Sequence, residues 1–133
     1  MTLVADSSLV LAAILNESTQ TAWSQAMLAS DRIAAPDHLH AEVAGVLRRH
    51  TLAGELSDSD ASVAYATLLS MPFELYGYEP YALRIWELRH TVIIKDAWFV
   101  AVAEALDVPL ATLDLRLTRA PGPRCRFLTP PVP

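Results

Sequence analysis

Four acidic side chains lie in or beside apolar stretches of the sequence, where a carboxylate is unusual. They are Asp6, Glu42, Asp96 and Asp114. Burying a carboxylate costs free energy unless the group is paired, hydrogen-bonded or bound to a metal ion. Carboxylates packed together also repel one another, which raises their pKa values unless a cation lies among them. If the four meet in space, they form an oxygen-rich site of the kind that suits Mg²⁺ or Mn²⁺.

An ion of this kind orients phosphates, activates water and stabilises charge on a leaving oxygen, so the chemistry indicated is hydrolysis of a phosphodiester bond. A simpler interpretation is open for each acid taken singly. Asp6, Asp96 and Asp114 each precede a predicted helix, where a capping carboxylate contributes ~1 kcal/mol. Glu42 could pair with an arginine such as Arg49. Convergence of all four on one end of one sheet would favour the metal site.

The elements that would position these acids alternate between strands and helices. Apolar runs predict strands at 2–6, 32–36, 73–78, 108–114 and 125–129. Periodicity predicts helices at 7–17, 21–30, 37–54, 57–71, 79–90, 96–106 and 115–120. In the third helix, Asp37 is the expected N-cap and Gly54 the expected stop. Because strands and helices alternate and the strands are short and apolar, we expect one domain, residues 1–133, with a three-layer α/β/α fold and a central parallel sheet of about five strands.

Ligands in folds of this class bind at the carboxyl ends of the strands, where the strand order changes direction. Asp6 closes the first predicted strand and Asp114 closes the fourth, so both should face that crevice. Asp96 opens the helix that leads into the fourth strand. Glu42 lies three residues after Leu39, within the apolar stripe of its helix, so it should face inward. All four acids are therefore expected in one crevice.

Length and composition exclude several other classes of protein. With 133 residues, of which 53% are hydrophobic and 19% charged, the chain has the composition of a folded domain rather than a disordered segment. No apolar run reaches the ~18 residues that span a membrane. Cys125 is the only cysteine, so no internal disulfide can form, and a reducing, cytoplasmic compartment is expected.

The formal net charge of −5 argues by itself against a nucleic-acid partner, because binding to phosphates relies on Lys and Arg. Without the four candidate pocket acids the charge would be only −1, and one or two divalent ions would largely cancel the pocket. The negative balance is then a sign of the metal site. Candidate contacts to substrate phosphate, each of which could equally be a solvated surface charge, are Arg48, Arg49, Lys95, Arg116 and Arg119.

These motifs resemble those of PIN domains, specifically the VapC-type toxins of type II toxin–antitoxin systems. The resemblance is carried by "LVADSS", the internal Glu42, "KDAWFVAVAEAL" and "LATLD", and "RLTRAPGPR" is typical of the C-terminal stretch. It implies an endoribonuclease that depends on Mg²⁺ or Mn²⁺, cleaves RNA, and has a parallel sheet flanked by helices. It also implies a homodimer and a VapB-type antitoxin, whose C-terminal segment wraps the toxin and can place a basic side chain in the acidic pocket.

Carried over residue by residue, the resemblance implies that Asp6 and Asp96 are the main metal ligands. Glu42 and Asp114 would complete the pocket, directly or through water. Two further positions match small hydroxyl residues often seen beside these acids, namely Ser8 and Thr112.

Three positions depart from the family's usual pattern. Ile94 and Lys95 stand where relatives often have a small residue and an aromatic one, and Arg116 stands where some have a further acid. The departures bear on the substrate rather than on the class of nuclease. For Lys95 we hypothesise a place on the rim of the pocket, in contact with substrate phosphate.

Other functions were weighed against the nuclease. A receiver-like phospho-signalling module would need an aspartate at the end of a middle strand, which "FELYGY" lacks. A non-catalytic PIN-like scaffold that only binds partners is disfavoured because all four acids are present. His38 and His40 lack companion ligands at zinc spacing. Trp23 and Met27 could line a groove for a partner helix, although core packing is the simpler interpretation.

Overall fold

The structure, a computed structural model, describes residues 1–16, 18–30 and 32–132. Its strands are β1 Thr2–Ala5, β2 Arg32–Pro36, β3 Phe73–Tyr76, β4 Leu110–Ala111 and β5 Phe127–Leu128. Its α-helices are α1 Ser7–Leu15, α2 Thr21–Leu28, α3 Leu39–Leu52, α4 Asp58–Ser70, α5 Ala82–Glu87, α6 Ile94–Leu106 and α7 Leu115–Arg119. Short 3₁₀-helices at Glu79–Tyr81 and Leu88–His90 flank α5.

The described strands form one parallel sheet in the order β3-β2-β1-β4-β5. Val4 in β1 pairs with Ala34 on one side and with Leu110 on the other. From β1 the chain adds β2 and then β3 on one side of the sheet, and it then returns to the other side of β1 to add β4 and β5. The strand order therefore switches between β1 and β4. This confirms the predicted parallel sheet. It also argues against a receiver-like module, because such modules share the flavodoxin-like order 2-1-3-4-5.

Helices cover both faces of the sheet, which confirms the three-layer architecture. α1 packs against α2, α3 and α4, while α6 packs across β1, β2 and β4 with α5 beside it. Phe99, Val100 and Val102 of α6 are fully buried, which explains why that segment is almost wholly apolar. Burial of such apolar surface is the dominant favourable contribution to folding. Trp23 and Met27 pack partly buried against this core, as the simpler interpretation expected.

The start of α3 and the length of β4 differ from the predictions. His38 is the N-cap residue of α3, so the prediction of Asp37 at that position is wrong. The Asp37 N–H instead donates to the Tyr76 carbonyl at 2.9 Å, which continues the pairing of β2 with β3. Gly54, with φ of 75°, follows the end of α3 in the left-handed conformation expected of a stop. β4 spans two residues rather than 108–114, because only Leu110 and Ala111 pair with both β1 and β5.

Other helix boundaries differ from the predictions as well. The predicted helix 79–90 is divided into α5 and its two 3₁₀ turns, a common way for short helices to tighten their ends. α6 begins at Ile94, two residues before the predicted start. The predicted end of the first helix, Glu17, lies outside the described residues. None of the described helices is long and apolar enough to cross a bilayer.

Arg84 on α5 connects the C-terminal segment to α6. Its Nε and Nη2 donate to the two carboxylate oxygens of Glu104 at 2.7 and 3.1 Å, and Nη2 also donates to the Gly122 carbonyl at 2.8 Å. Glu104 accepts a further hydrogen bond from the Arg124 N–H at 2.7 Å. Burial alone would raise the pKa of Glu104, but these hydrogen bonds outweigh it and hold the pKa below its usual range. The network fixes the connection between α7 and the edge strand β5.

Candidate active site

Asp6 lies directly after β1, where the strand order switches. Its N–H donates to the Ala111 carbonyl of β4 at 3.2 Å, so the pairing of the two strands extends to this residue. Asp6 is only 5% exposed. Its carboxylate accepts hydrogen bonds from the hydroxyls of Ser8 (2.6 Å) and Thr112 and from the Leu9 N–H (3.2 Å). Burial raises the pKa of Asp6, and these hydrogen bonds oppose the rise. The same three donors fix the orientation of the carboxylate.

Asp114 reaches the same end of the sheet from the turn after β4. Its Oδ1 accepts from the N–H groups of Arg116 (3.0 Å) and Leu117 (3.4 Å), so Asp114 caps α7. The Nε of Arg116, whose side chain is 93% exposed, lies 3.7 Å from that oxygen. The Asp114 N–H donates to Thr112 Oγ1 at 3.0 Å. Thr112 therefore connects the two acids, since its hydroxyl donates to Asp6 and accepts from Asp114.

Glu42 reaches the site from the first turn of α3. One of its carboxylate oxygens accepts the hydroxyl of Ser7, and the other lies 3.2 Å from Nζ of Lys95. The Glu42 side chain is 13% exposed and that of Lys95 is 56% exposed, so the ion pair lies at the edge of the pocket. The cation that pairs with Glu42 is thus Lys95 and not Arg49. Ser7 and Ser8 are adjacent at the start of α1, and their hydroxyls donate to two different acids, Glu42 and Asp6 respectively.

Asp96 is the third residue of α6, whose N-terminus has no side-chain cap, so capping does not explain this carboxylate. Burial, followed by the charges of Asp6 and Glu42, raises the pKa of Asp96 from 3.8 to about 6. Asp114 adds to the rise and Lys95 opposes it. The four predicted acids therefore lie close enough to repel one another, and Asp96 is the one most affected by the other three.

A cavity of about 270 Å³ adjoins the site on the side of Asp96 and Asp114, and its other lining residues include Ile93 and Arg116, whereas Asp6 and Glu42 do not line it. Among residues 1–16, 18–30 and 32–132, no three His, Cys, Asp or Glu side chains form a group that could hold a metal ion. The pocket is therefore a cluster of carboxylates largely occupied by hydroxyl, amide and ammonium donors, not a closed cage of ligands.

Two histidines of the sequence "HLH" have packing roles. His38 stacks on Trp98, with ring centroids 4.5 Å apart and planes inclined by 5°. Burial lowers the pKa of His38, although the nearby Glu42 opposes the shift, so the ring is neutral at neutral pH. His40 packs edge-on against Phe73 at 5.7 Å. Neither contact is that of a metal ligand.

Other reactive or basic residues lie outside the pocket. Burial raises the pKa of the Cys125 thiol to about 11, so it is no thiolate nucleophile at neutral pH. Arg48 and Arg49 are exposed on α3. Of the five basic residues proposed for phosphate contacts, Lys95 and Arg116 lie within 4 Å of a pocket carboxylate.

Sequence reasoning missed the role of Ser7 and the pairing of Lys95 with Glu42. The sequence contained a signal for the role of Ser7, because adjacent residues of a helix project ~100° apart and so reach different neighbours. No comparable signal existed for the second, since it depends on how α3 and α6 lie against each other. The positions of Ser8 and Thr112 beside Asp6 agree with the sequence-based expectation.

Comparisons with known proteins identify the family to which the chain belongs. Residues 3–123 match the PIN domain family. Ribonuclease VapC1 of Mycobacterium tuberculosis is 37% identical over 125 residues, which cover 93% of this chain and 94% of that relative. A structure of VapBC2 from Rickettsia felis, bound to a DNA fragment from its promoter, superposes with a TM-score of 0.70 at 16% identity and covers 97% of this chain and 98% of the other.

A second solved structure is VapC20 of Mycobacterium tuberculosis, described as a sarcin-ricin loop cleaving toxin. It superposes with a TM-score of 0.62 at 19% identity and covers 81% of this chain and 86% of the other. At these identities the structural likeness establishes the fold, and the family follows from the sequence matches. With the family matched over nearly its whole length and a VapC relative at 37% identity, the chain belongs to the PIN domain family, in its VapC group.

Proposed function

We propose that this chain is an endoribonuclease that depends on Mg²⁺ or Mn²⁺ and acts as the toxin of a toxin–antitoxin pair. The observation that carries the proposal is the convergence of four carboxylates, from four separate segments, on the point where the strand order switches. A fold that keeps such acids together against their mutual repulsion has the signature of a functional site. RNA is the proposed substrate because VapC relatives are named ribonucleases and VapC20 is described as cleaving the sarcin-ricin loop.

The donor set fits a hard divalent ion. Carboxylates and hydroxyls are oxygen donors of the kind that Mg²⁺ and Mn²⁺ prefer. We assign Asp6 and Asp96 as the main ligands, with Glu42 and Asp114 completing the pocket directly or through water. Mg²⁺ is usually held by one or two carboxylates and keeps several waters, so Asp6 and Asp96 would be sufficient protein ligands for it. When bound, the ion would orient the scissile phosphate, activate water and stabilise the leaving oxygen.

The chain's own residues supply orientation and charge. The hydroxyls of Ser8 and Thr112 fix the Asp6 carboxylate in the pocket. Glu42 holds the ammonium group of Lys95 at the pocket edge, where it would meet a substrate phosphate. Positioning and electrostatic stabilisation account for most of the catalysis of phosphoryl transfer, so small displacements of these groups should matter.

Cleavage of a structured RNA by the purified chain tests the proposal. We expect cleavage with Mg²⁺ or Mn²⁺, loss of cleavage in EDTA, and loss in Asp6→Asn and Asp96→Asn variants that keep the wild-type circular dichroism spectrum. Asp37→Asn, which removes an exposed carboxylate from the turn before α3, is the matched control and should cut normally. Cleavage by Asp96→Asn at the wild-type rate would refute the assignment. A chain that neither cuts RNA nor binds Mn²⁺ would instead be a scaffold.

The proposed partners follow from the same pocket. Solved relatives include VapBC complexes, so we assign a VapB-type antitoxin whose basic side chain enters the acidic pocket. Growth arrest on induction in the cytoplasm, relieved when the neighbouring reading frame is co-expressed, would support this assignment. We also propose a homodimer, for which the exposed side chains of Leu83 (83%) and Trp86 (59%) on α5 offer an apolar face. Sedimentation of wild-type chain and Trp86→Glu would test it.

A further inference from the structure

Lys95 is the only lysine in the chain, and the other nine basic residues counted in the net charge are arginines. It lies next to Asp96 in sequence, and its Nζ is 3.2 Å from Glu42 Oε2. Ammonium is a compact point charge, whereas guanidinium is a broad planar group that binds through a fork of donors. The one position at which the chain uses the compact cation is thus the acidic pocket.

The two oxygens of Glu42 have different partners in this arrangement. Ser7 donates a hydrogen bond to Oε1, whereas Oε2 is buried without a hydrogen bond and has the Nζ of Lys95 as its ion-pair partner at 3.2 Å. The side chain of Glu42 is nearly buried, so its orientation is set by these two groups. A divalent ion at Oε2 would lie beside the Lys95 ammonium group, so the two cations compete for that oxygen. Asp96, by contrast, has no hydrogen-bond donor among the described residues, and its neighbouring charges are repulsive apart from Lys95.

The charge of the pocket also favours one divalent ion over two. Four carboxylates, the Lys95 ammonium group and the Arg116 guanidinium group, 3.7 Å from Asp114, carry two net negative charges. One divalent ion neutralises the pocket, whereas a second would make it positive before any phosphate arrives. The Lys95 ammonium group therefore supplies positive charge that a second ion would otherwise supply.

We propose that Lys95 is a built-in cation that occupies the Glu42 side of the pocket, so that the chain binds one divalent ion, on the side of Asp6 and Asp96, and not two. The inference rests on the proposed metal dependence and adds to it the number of ions and the side on which they bind. It assigns Glu42 as a positioning residue for Lys95 rather than as a direct ligand of the ion.

Counting bound Mn²⁺ by equilibrium dialysis and electron paramagnetic resonance tests the proposal without an activity assay. Wild type should bind one Mn²⁺ per chain. Lys95→Met should bind two, because Glu42 becomes available, and Lys95→Arg, the matched control that keeps the charge, should bind one. Since the Lys95 side chain is 56% exposed, we expect the variants to fold, and thermal melting would verify this. Lys95→Gln replaces Lys95→Met if the latter shows no melting transition.

The outcomes separate the inference from the proposed function. If wild type binds no Mn²⁺ at all, the metal dependence is wrong and the inference with it. If wild type and Lys95→Met both bind one ion with equal affinity, or if wild type already binds two, the role of Lys95 is wrong while the metal dependence stands.

Discussion

Replacing Asp96 by asparagine should stabilise the folded chain in the absence of divalent ions, although it removes a residue assigned to catalysis. Burial and neighbouring carboxylates raise the pKa of Asp96 from 3.8 to about 6. One pKa unit corresponds to ~1.36 kcal/mol, so the ionised form of Asp96 destabilises the fold by ~3 kcal/mol at most. Its position in the first turn of α6 opposes this by ~0.3–1 kcal/mol through the helix dipole. After solvent screening of this partly exposed group, a net effect of ~1–2 kcal/mol is expected.

Because the pKa of Asp96 is raised in the folded chain, the effect of this residue on stability depends on pH. Below pH 3.8 the carboxyl group is protonated in the folded and the unfolded chain, and Asp96 has no effect on stability. Between pH 3.8 and about 6 the unfolded chain loses its proton first, so wild type loses stability relative to Asp96→Asn, and above about pH 6 the whole difference is present. At pH 7.5 in EDTA the variant should melt ~3–8 °C above wild type, and at pH 4 most of that difference should vanish.

Thermal melts followed by circular dichroism at pH 7.5 and pH 4 provide the assay, with Asp37→Asn as the control for loss of an exposed charge. Added Mg²⁺ should raise the melting temperature of wild type and not that of Asp96→Asn, because only a ligand that binds the native state stabilises it. A variant that melts below wild type at pH 7.5 in EDTA would show that Asp96 is a stabilising carboxylate and that the reasoning is wrong.

Three further substitutions probe the groups around the site. Thr112→Val should lower the free energy of unfolding by ~1–3 kcal/mol in urea titrations, because the buried Asp6 carboxylate loses a donor. Arg84→Ala should cost ~2 kcal/mol in the same assay, because Glu104 is left partly buried without its cation. Ser57→Ala should cost ~1 kcal/mol by removing the side-chain cap of α4, where Ser57 Oγ accepts from a backbone N–H at 3.0 Å.

Each of these has a control of matched chemistry. Thr67→Val removes an exposed hydroxyl from α4, and Ser62→Ala removes one from the same helix away from its cap. Arg32→Ala breaks an exposed ion pair with Glu74 whose N···O distance is also 2.7 Å, and it should change stability by less than ~1 kcal/mol. If a control destabilised the chain as much as its counterpart, the buried contact would not be the cause.

Much of the fold could be predicted from residue types, because the secondary structure that these segments favour locally is the one that their contacts in the folded chain require. The segment 32–36, apolar and ended by proline, is the observed β2 without change. Asp6 and Asp114 end apolar runs, so placing those runs in one parallel sheet sufficed to bring the acids together. Glu42 was recognisable because it interrupts an apolar stripe, and a stripe faces the core.

What could not be predicted depends on contacts between elements. The pairing of Lys95 with Glu42 requires the relative position of α3 and α6, which the periodicity of neither helix contains. Asp37 is a residue type favoured at N-caps, yet its N–H continues the pairing with Tyr76 of the neighbouring strand and the helix begins only at Leu39, so the residue type alone placed the start of α3 too early. The raised pKa of Asp96 is likewise a property of the assembled pocket and not of the helix that carries it.

The bond between Thr112 and Asp6 joins residues 106 positions apart in the chain. β1, which precedes Asp6, is synthesised well before its neighbour β4, so the two can pair only after the residues between them have been made. Parallel pairings of such long range form late in folding. A chain that is still being translated therefore has an incomplete pocket, because Asp6 meets Thr112 and the strand that carries it only after most of the residues between them have been made.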